Sequence, residues 1–533
     1  MLLQLLLLAV SCRAEVGPIV ETSQGKVQGF ITVSRSGRNY KVFAGIPYAK
    51  PPVGELRFKA PEAAEGWTDI RQAKEPGPLC PQINIYFGGS PTGEEDCLYL
   101  SVFTPEKDGK YPVAVHIHGG GWILDAPRSR GPQYLMDEDI VVVDFNWRIG
   151  ILGFLSFEDD VVPGNMGLKD MVMALQWVKQ NIANFGGDPD RVTLLGECVG
   201  GDAVYHLMVS PMSRGLFSKA IAESGSSYTT EAVAPPGLAR QKAEEVARLF
   251  ACKGSTSAEM VNCLRGKDAL DLAAALPKFI NWQIDPVLSF SPVLEMHSKE
   301  PALTAPMSTW KTAPVPLLTG ITSGEGLLRT MFFTRDNFDV SELESDFNNK
   351  ISKTLMLPEL SSDGDNLMAK IRDYYFPGKN ISTFDNFKNI TDMIGDSWFS
   401  FGVLEGARLH TAPVYMYYFD YVGGHTISEF FGDKSRATGS FHTEEQIYIW
   451  EMDGLPPHAG KDLDMSRNLV KIWTKFIKDG SPTVAEVTKT EWKPYLPGEN
   501  YMEITKSGFE LKQGLITDRY NFWKSLNFRD KLM

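Results

Sequence analysis

The stretch Val192–Gly200, with the sequence VTLLGECVG, decides the fold that this chain is expected to adopt. Val192–Leu195 is a short apolar run with β-branched residues, as in a buried strand. Gly196–Gly200 has the G-x-S-x-G outline of a nucleophile elbow, with a cysteine in place of the serine. Such an elbow joins a buried strand to a helix and lifts the nucleophile above the sheet. Cys198 is therefore the candidate nucleophile.

Apolar segments typical of buried strands alternate with helical segments on both sides of this stretch. The other strand candidates are Tyr111–Ile117, Ile140–Phe145, Pro314–Gly320 and Val414–Phe419. Helices are expected at Leu168–Ile182 and Met465–Ile477, and the region Leu238–Phe376 is rich in helix signals. This alternation predicts an α/β fold with a large, mostly parallel central sheet, helices on both faces and a helical cap region.

Composition is that of an ordinary soluble protein. The chain has 533 residues, of which 43% are hydrophobic and 22% are charged. No internal repeat or linker marks a boundary, so residues 15–533 are expected to form one domain. The net charge of -13 disfavours nucleic acid and anionic membrane surfaces as partners. The oligomeric state is left open by the sequence.

Residues 1–14 have the features of a secretory signal peptide. Leu2–Val10 is largely apolar but too short to span a bilayer, and Ala14 is a small residue suited to cleavage. We expect a secreted, extracellular protein without a membrane span; a buried N-terminal strand or helix is the alternative. Sequons at Asn380 and Asn389 predict glycosylation on the same route.

The cysteines agree with an oxidising compartment. When Cys12 is removed with the signal peptide, five cysteines remain, and two pairs close short loops: Cys80–Cys97 and Cys252–Cys263. Other connectivities are also compatible with the sequence. In this pairing Cys198 is left as a free thiol, as expected of a nucleophile in an active site.

A glycine-rich segment, His118–Trp122, follows the strand candidate that ends at Ile117. Glycines there let backbone N–H groups turn toward a small oxyanion, which side chains would obstruct. A flexible loop is the simpler interpretation, but the position upstream of an elbow favours an oxyanion hole. His116 and His118 have the spacing of a metal pair, but no third ligand is evident nearby, so neither a metal nor a cofactor is expected.

The acid and the base of a catalytic triad are sought downstream of the nucleophile. In enzymes with a nucleophile elbow, the triad residues follow the order nucleophile, acid, base along the chain. Glu325 follows a strand candidate, where parallel sheets place catalytic side chains, although a single glutamate is more often a solvated surface residue. The candidate bases are His410, His425, His442 and His458. His442, one loop after Val414–Phe419, ranks first, although a lone loop histidine is more often a surface residue.

Further blocks make the chain similar to one family. Phe185–Glu197 matches the lead-in to the active-site signature of the type-B carboxylesterases, which include the cholinesterases, and Glu95–Val102 matches their second signature. Shorter similar blocks are Ala44–Ala49, Asn146–Gly150 and Gly164–Leu168. The resemblance covers nearly the whole mature length. It implies an α/β-hydrolase fold and hydrolysis of carboxylic esters.

The resemblance also implies a role for individual residues. In the triad, Cys198 takes the place of the nucleophile, Glu325 that of the acid and His442 that of the base. The oxyanion donors are the N–H groups of Gly120, Gly121 and Val199. The implied disulfides are Cys80–Cys97 and Cys252–Cys263.

The chain departs from the family pattern at several positions. The family has serine where this chain has Cys198, and small residues where it has Val199 and Asp202, of which the latter adds a negative charge. The loop between Cys80 and Cys97 lacks the tryptophan on which cholinesterases stack choline, so choline esters are not the expected substrates.

Three functions follow from these features. The first is a secreted hydrolase of small apolar esters that forms an acyl-enzyme on Cys198. The second is a catalytically silent relative that binds or sequesters hydrophobic esters. The third is an adhesion or signalling module, which fits poorly because no membrane span follows the domain. The presence of Glu325, His442 and the glycine segment favours the first, with activity weakened because sulfur is readily expelled from a tetrahedral intermediate.

Overall fold

The computed structural model describes residues 17–529 except 231, 287–289, 305, 336–337, 340 and 382–383. The expected signal peptide, residues 1–14, lies outside the described residues. The strands are β1 Ile19–Glu21, β2 Lys26–Gln28, β3 Phe30–Val33, β4 Asn39–Pro47, β5 Arg71–Gln72, β6 Tyr99–Pro105, β7 Tyr111–Ile117, β8 Arg130–Gly131, β9 Val141–Phe145, β10 Gly187–Glu197, β11 Lys219–Glu223, β12 Leu317–Thr322, β13 Val414–Asp420, β14 Glu451–Met452, β15 Asn500–Thr505 and β16 Gly508–Gln513.

The α-helices are α1 Gly150–Phe154, α2 Met166–Asn181, α3 Val199–Val209, α4 Leu238–Leu249, α5 Ser257–Arg265, α6 Ala269–Ala274, α7 Leu327–Thr330, α8 Ser341–Ser345, α9 Phe347–Thr354, α10 Leu357–Leu360, α11 Gly364–Tyr375, α12 Phe387–Gly395, α13 Phe401–Leu409, α14 Ser428–Phe431, α15 Gln446–Ile449, α16 Gly460–Asp479, α17 Ala485–Thr488 and α18 Thr517–Leu526. A π-helical turn, Asp396–Ser400, joins α12 to α13.

One eleven-stranded sheet runs through the molecule in the order β16-β15-β13-β12-β11-β10-β7-β9-β6-β4-β3. The strands from β15 to β9 in this order pair parallel with their neighbours. The remaining pairs at the two edges are antiparallel. The predicted α/β fold with a mostly parallel central sheet is confirmed. Two small sheets, β1-β2-β5 and β14-β8, lie outside it.

Helices cover both faces of the sheet, as the alternation of core residues shows. Val113 and Val115 of β7 belong to one apolar core with Leu175 of α2. Ala114 of the same strand belongs to a second core with Trp473 of α16. Because neighbouring residues of a strand face opposite sides, both sides of the sheet are buried.

The predicted elements agree with the structure to within a few residues at most ends. β7 has the predicted bounds, whereas β12 begins at Leu317 rather than at Pro314. Pro314 and Pro316 have no N–H group to donate to a neighbouring strand, which explains the later start. The region Leu238–Phe376 contains α4 to α11, as its helix signals predicted.

Both expected disulfides are present in the structure. Cys80–Cys97 and Cys252–Cys263 have Cα–Cα distances of 5.1 and 5.4 Å, and Cys198 is a free thiol. Within the described part of the chain, no helix combines the length and the apolar character needed to cross a bilayer.

Candidate active site

Cys198 stands between the end of β10 and the start of α3, at the carboxyl edge of the parallel strands. Its φ and ψ of 57° and -130° are unusual for a residue with a side chain. Its N–H donates to the carbonyl oxygen of Glu223 at 2.9 Å, and its own carbonyl oxygen accepts from Asp202 N–H at 3.1 Å. These bonds hold the sharp turn that a nucleophile elbow requires.

The glycine-rich segment lies against this elbow. Gly120 has a φ of 98°, and a Cβ at this position would lie 2.0 Å from the carbonyl oxygen of Leu124, so only glycine fits. Within the described residues, the N–H groups of Gly120 and Gly121 make no hydrogen bond. Val199 is the first residue of α3, and its N–H has no carbonyl partner one turn earlier. The three groups line one cavity with Cys198, where they can donate to an oxyanion.

Glu325 and His442 meet at the same edge of the sheet. His442 Nδ1 donates to Glu325 Oε2 at 2.5 Å, and both side chains are buried. Glu325 Oε1 accepts from the Ser224 hydroxyl at 2.6 Å and from Thr322 N–H at 2.8 Å. These donors fix the carboxylate, which in turn fixes the tautomer and the orientation of the imidazole ring.

The other ring nitrogen of His442, Nε2, is the one that can act on Cys198. Nε2 is buried and has no hydrogen bond of normal geometry among the described residues. Burial lowers the pKa of His442, but the electrostatic interactions with Cys198 and Glu325 outweigh it, and the pKa lies well above its usual value. Phe399, from the π-helical turn, stacks on the ring with 4.0 Å between centroids. The arrangement is that of a base beside a thiol.

The other histidines considered as bases lie elsewhere. His410 Nε2 donates to the carbonyl oxygen of Val315 at 2.8 Å, and His458 Nε2 donates to that of Ile447 at 2.6 Å. His425 is exposed and lies 3.9 Å from Glu429. None of these three lines the cavity of Cys198.

The two histidines with the spacing of a metal pair bind protein groups instead. His116 Nε2 lies 2.9 Å from Glu197 Oε2, and His118 Nδ1 lies 2.9 Å from the carbonyl oxygen of Gly119. His118 also stacks on Trp147. Across the described ranges, no group of three or more His, Cys, Asp or Glu side chains has the geometry of a metal site.

Asp202 differs from the expectation that it adds a charge. Its side chain is fully buried, and its Oδ1 accepts from Ser226 N–H at 2.7 Å and from the Thr229 hydroxyl at 2.9 Å. Burial raises the pKa of Asp202 to about 8. The carboxyl group is therefore mostly protonated at neutral pH, because an uncompensated buried carboxylate would be costly.

The cavity above Cys198 has a volume of about 250 Å³ and a largely apolar wall. Its apolar lining residues are Tyr86, Leu328, Trp398, Phe399, Ile427, Phe431, Phe441 and Met452. Its polar floor contains Asp125, Arg130 and Glu197. A second cavity, of about 310 Å³, is also lined by Arg130 but by none of the triad residues.

Comparison with known proteins decides the family. The model of the carboxylesterase family matches residues 16–523. The chain belongs to the carboxylesterase family. This carboxylesterase is 37% identical to esterase FE4 of Myzus persicae over 497 residues, which are 89% of this chain and 86% of that protein. It is 35% identical to juvenile hormone esterase of Tribolium castaneum, over 95% of this chain and 93% of that one.

A solved structure agrees with this assignment. The crystal structure of juvenile hormone esterase from Manduca sexta, with OTFP covalently attached, matches this carboxylesterase with a TM-score of 0.81. The match covers 95% of this chain and 99% of the other at 28% identity. The α/β-hydrolase fold is confirmed, and the carboxylesterase is a carboxylic-ester hydrolase.

Three residues of the site were not found by sequence reasoning. Ser224 directly follows β11, so its position at the end of a parallel strand was a signal for it. Phe399 and Arg130 gave no such signal. Phe399 reaches the site through a π-helical turn, and Arg130 through a two-residue strand, and neither has a marked sequence pattern.

Proposed function

We propose that this carboxylesterase hydrolyses small apolar esters through an acyl-enzyme on Cys198. The observation that carries the proposal is the position of Cys198 at the elbow, beside a histidine that Glu325 holds at 2.5 Å. A protein that only sequestered esters would have no use for this buried pair, so its presence favours catalysis over the silent alternative.

The chemistry has two halves. His442 Nε2 takes the proton of the thiol, the sulfur of Cys198 attacks the ester carbonyl carbon, and a carbon–sulfur bond forms while the carbonyl oxygen becomes an oxyanion. The N–H groups of Gly120, Gly121 and Val199 donate to that oxyanion. The intermediate collapses, the carbon–oxygen bond to the alcohol breaks, and His442 protonates the leaving oxygen. Water, deprotonated by His442, then attacks the thioester, and the acid leaves as the thiol is restored.

The size and the lining of the cavity support small apolar substrates. A volume of about 250 Å³ lies just below the usual range for ligand pockets, so the substrate is expected to be small. The mostly apolar wall can bury an alkyl or aryl group. Aryl esters and thioesters are favoured further, because their leaving groups compete well with a thiolate.

Pre-steady-state kinetics with a p-nitrophenyl ester of a short acid tests the proposal. We expect a burst of p-nitrophenol followed by slower turnover, and an acyl adduct on the peptide that contains Cys198. His442→Ala should abolish the burst, because the thiol loses its base. His410→Ala is the matched control and should keep it. An adduct on another residue, or an undiminished burst in His442→Ala, would contradict the assignment.

We also infer that the protein is secreted. The apolar segment before residue 15, the two disulfides and the sequons support this route. Asn380 is exposed, which suits a glycan. Asn389 is half-buried in α12, and its amide donates to the carbonyl oxygen of Tyr375 at 2.7 Å. Asn380 is thus the better of the two acceptors, and an endoglycosidase shift lost in Asn380→Gln tests it.

A further inference from the structure

A buried arginine lies beside the candidate nucleophile and takes no part in the proposed chemistry. The side chain of Arg130 is 7% exposed and that of Glu197 is 4% exposed. Arg130 Nη1 donates to Glu197 Oε1, and its Nη2 donates to Asp125 Oδ2 at 2.6 Å. Glu197 directly precedes Cys198 in the chain, and Arg130, Glu197 and Cys198 all line the same cavity.

Glu197 is held as a carboxylate. Besides the bond from Arg130, its Oε1 accepts from Gly119 N–H at 2.9 Å, and its Oε2 lies 2.9 Å from His116 Nε2. Burial raises the pKa of Glu197, but Arg130 and His116 outweigh it, and the pKa lies well below its usual value. A buried anion therefore stands next to two places where negative charge develops, the sulfur of Cys198 and the oxyanion.

Apart from Arg130, the charged and titratable groups around the sulfur do not offset this anion permanently, and His116 beside Glu197 is an imidazole rather than a permanent cation. His442 is cationic only after it takes a proton, and Glu325 behind it is a further anion. Asp202 on α3 is neutral while protonated and becomes a third anion at alkaline pH. Asp125 shares Arg130 with Glu197. Arg130 carries the permanent positive charge of the cluster, since a guanidinium does not lose its proton in proteins.

We propose that Arg130 is a positioning residue that favours the reactive thiolate form of Cys198. Its charge offsets that of Glu197 while negative charge develops on Cys198 and on the substrate oxygen. Its ion pair with Glu197 also ties the segment after the glycines to strand β10, whereas its ion pair with Asp125 lies within that segment. The inference rests on the proposed role of Cys198 as the nucleophile.

Sulfur gives this residue a greater role than oxygen would. A cysteine attacks as a thiolate that carries full charge before the bond forms, whereas a serine loses its proton as it attacks. A neighbouring carboxylate without its ion pair therefore opposes formation of the thiolate, before the sulfur attacks the ester. Loss of Arg130 should accordingly slow ester turnover more in the natural chain than in Cys198→Ser.

Alkylation of Cys198 by iodoacetamide between pH 5 and pH 10 tests the inference without any ester. In Arg130→Gln, the rate at pH 7 should fall by about tenfold or more, and the rise of the rate should move to higher pH. A second substitution, Glu197→Gln, should restore most of the rate, because it removes the anion that Arg130 offsets. Arg128→Gln, an exposed arginine of the same segment, is the matched control and should behave as the natural chain.

Two further variants keep the test decisive if Arg130→Gln does not fold. Arg130→Lys keeps the charge and should keep the alkylation profile, and Glu197→Gln alone should move it to lower pH. An unchanged profile in Arg130→Gln, or a loss that Glu197→Gln does not restore, would overturn the inference and leave Arg130 a structural residue. Alkylation of the natural chain without any ester turnover would instead contradict the proposed function, while the alkylation profiles of the variants would still decide whether Arg130 acts on the thiol.

Discussion

A carbon–sulfur bond is longer than a carbon–oxygen bond. In the proposed mechanism, this difference moves the leaving oxygen relative to His442, which must protonate it. The imidazole is fixed by Glu325 and by the stacked ring of Phe399, so it cannot follow a displaced leaving group freely. It must protonate the alcohol before the intermediate expels the sulfur. In the proposed mechanism, this fixed imidazole should slow the hydrolysis of simple alkyl esters more than that of activated esters.

Cys198→Ser tests this limit. Turnover of short alkyl esters should rise by about 100-fold or more, because misplacement near 1 Å costs a factor of this order. Activated aryl esters should gain much less. An organophosphate should inactivate the serine variant quickly and the natural chain slowly, whereas iodoacetamide should show the reverse preference. A serine variant inert toward every ester would show that the frame itself is not competent.

The buried carboxyl group of Asp202 should make stability depend on pH. Its pKa is about 8 in the folded protein, against an ordinary value of 3.8. Between these values the folded state keeps a proton that the unfolded state releases, so stability falls as the pH rises toward 8. Asp202→Asn keeps the neutral shape and removes this loss.

Thermal unfolding of Asp202→Asn at several pH values provides the measurement. The Tm of the variant should exceed that of the natural chain by an increment that grows between pH 5 and pH 8. The matched control is Asp160→Asn, at an exposed position, which should give no such growth. An increment that stays constant with pH would show that Asp202 is not linked to folding in this way.

At the scale of elements, the contact between α3 and β7 fixes the position of Cys198 relative to the glycine-rich segment. A Cβ at Gly200 would lie 2.1 Å from the carbonyl oxygen of Ile117, the last residue of β7. Only glycine therefore lets the first turn of α3 approach the strand that leads into the oxyanion glycines. This close backbone contact lets the elbow lie against the strand that leads into the glycine-rich segment.

Gly200→Ala should separate these two elements. We expect a fall of about 1–3 kcal/mol in the free energy of unfolding, as for overpacked sites, together with slower acylation of Cys198. Gly364→Ala, where a Cβ meets nothing closer than 3.9 Å, is the control and should leave both unchanged. Urea unfolding and burst kinetics measure the two effects. Full stability in Gly200→Ala would mean that the backbone adjusts freely there.

The sequence predicted the elements whose pattern is local. β7 and α2 are visible because apolar residues recur with the period of a strand or of a helix, and the elbow is visible because its glycines have fixed spacing. The pair of Arg130 with Glu197 was not visible, because 67 residues separate the partners and only the tertiary structure joins them. The neutral state of Asp202 was missed for the same reason, since burial is a property of the packed chain.

At the scale of the whole molecule, the parallel sheet assembles the site from distant parts of the chain. The segments after β7, β10, β12 and β13 carry the glycines, Cys198, Glu325 and His442. All four follow the carboxyl ends of parallel strands, which lie at one edge of the sheet. The order nucleophile, acid, base along the chain thus becomes one compact site.

Expression with the full leader tests the secretory route of the whole chain. The protein in the medium should begin at Glu15, and mass mapping without reduction should give Cys80–Cys97 and Cys252–Cys263 with one free thiol. Retention of residues 1–14 in the secreted protein would contradict the signal peptide. A disulfide that includes Cys198 would contradict both the pairing and the nucleophile.

The short ladder between β8 and β14 links the segment after the glycines to the segment after the His442 loop. Arg130 and Gly131, beyond the oxyanion glycines, pair with Met452 and Glu451, which follow the His442 loop and α15. Because their backbone hydrogen bonds are shared, opening of one segment exposes the other, and the two should form one cooperative unit. Deuterium uptake should therefore rise at both segments together under mild denaturant. The active site would then be lost in a single local unfolding event, well before the central sheet opens.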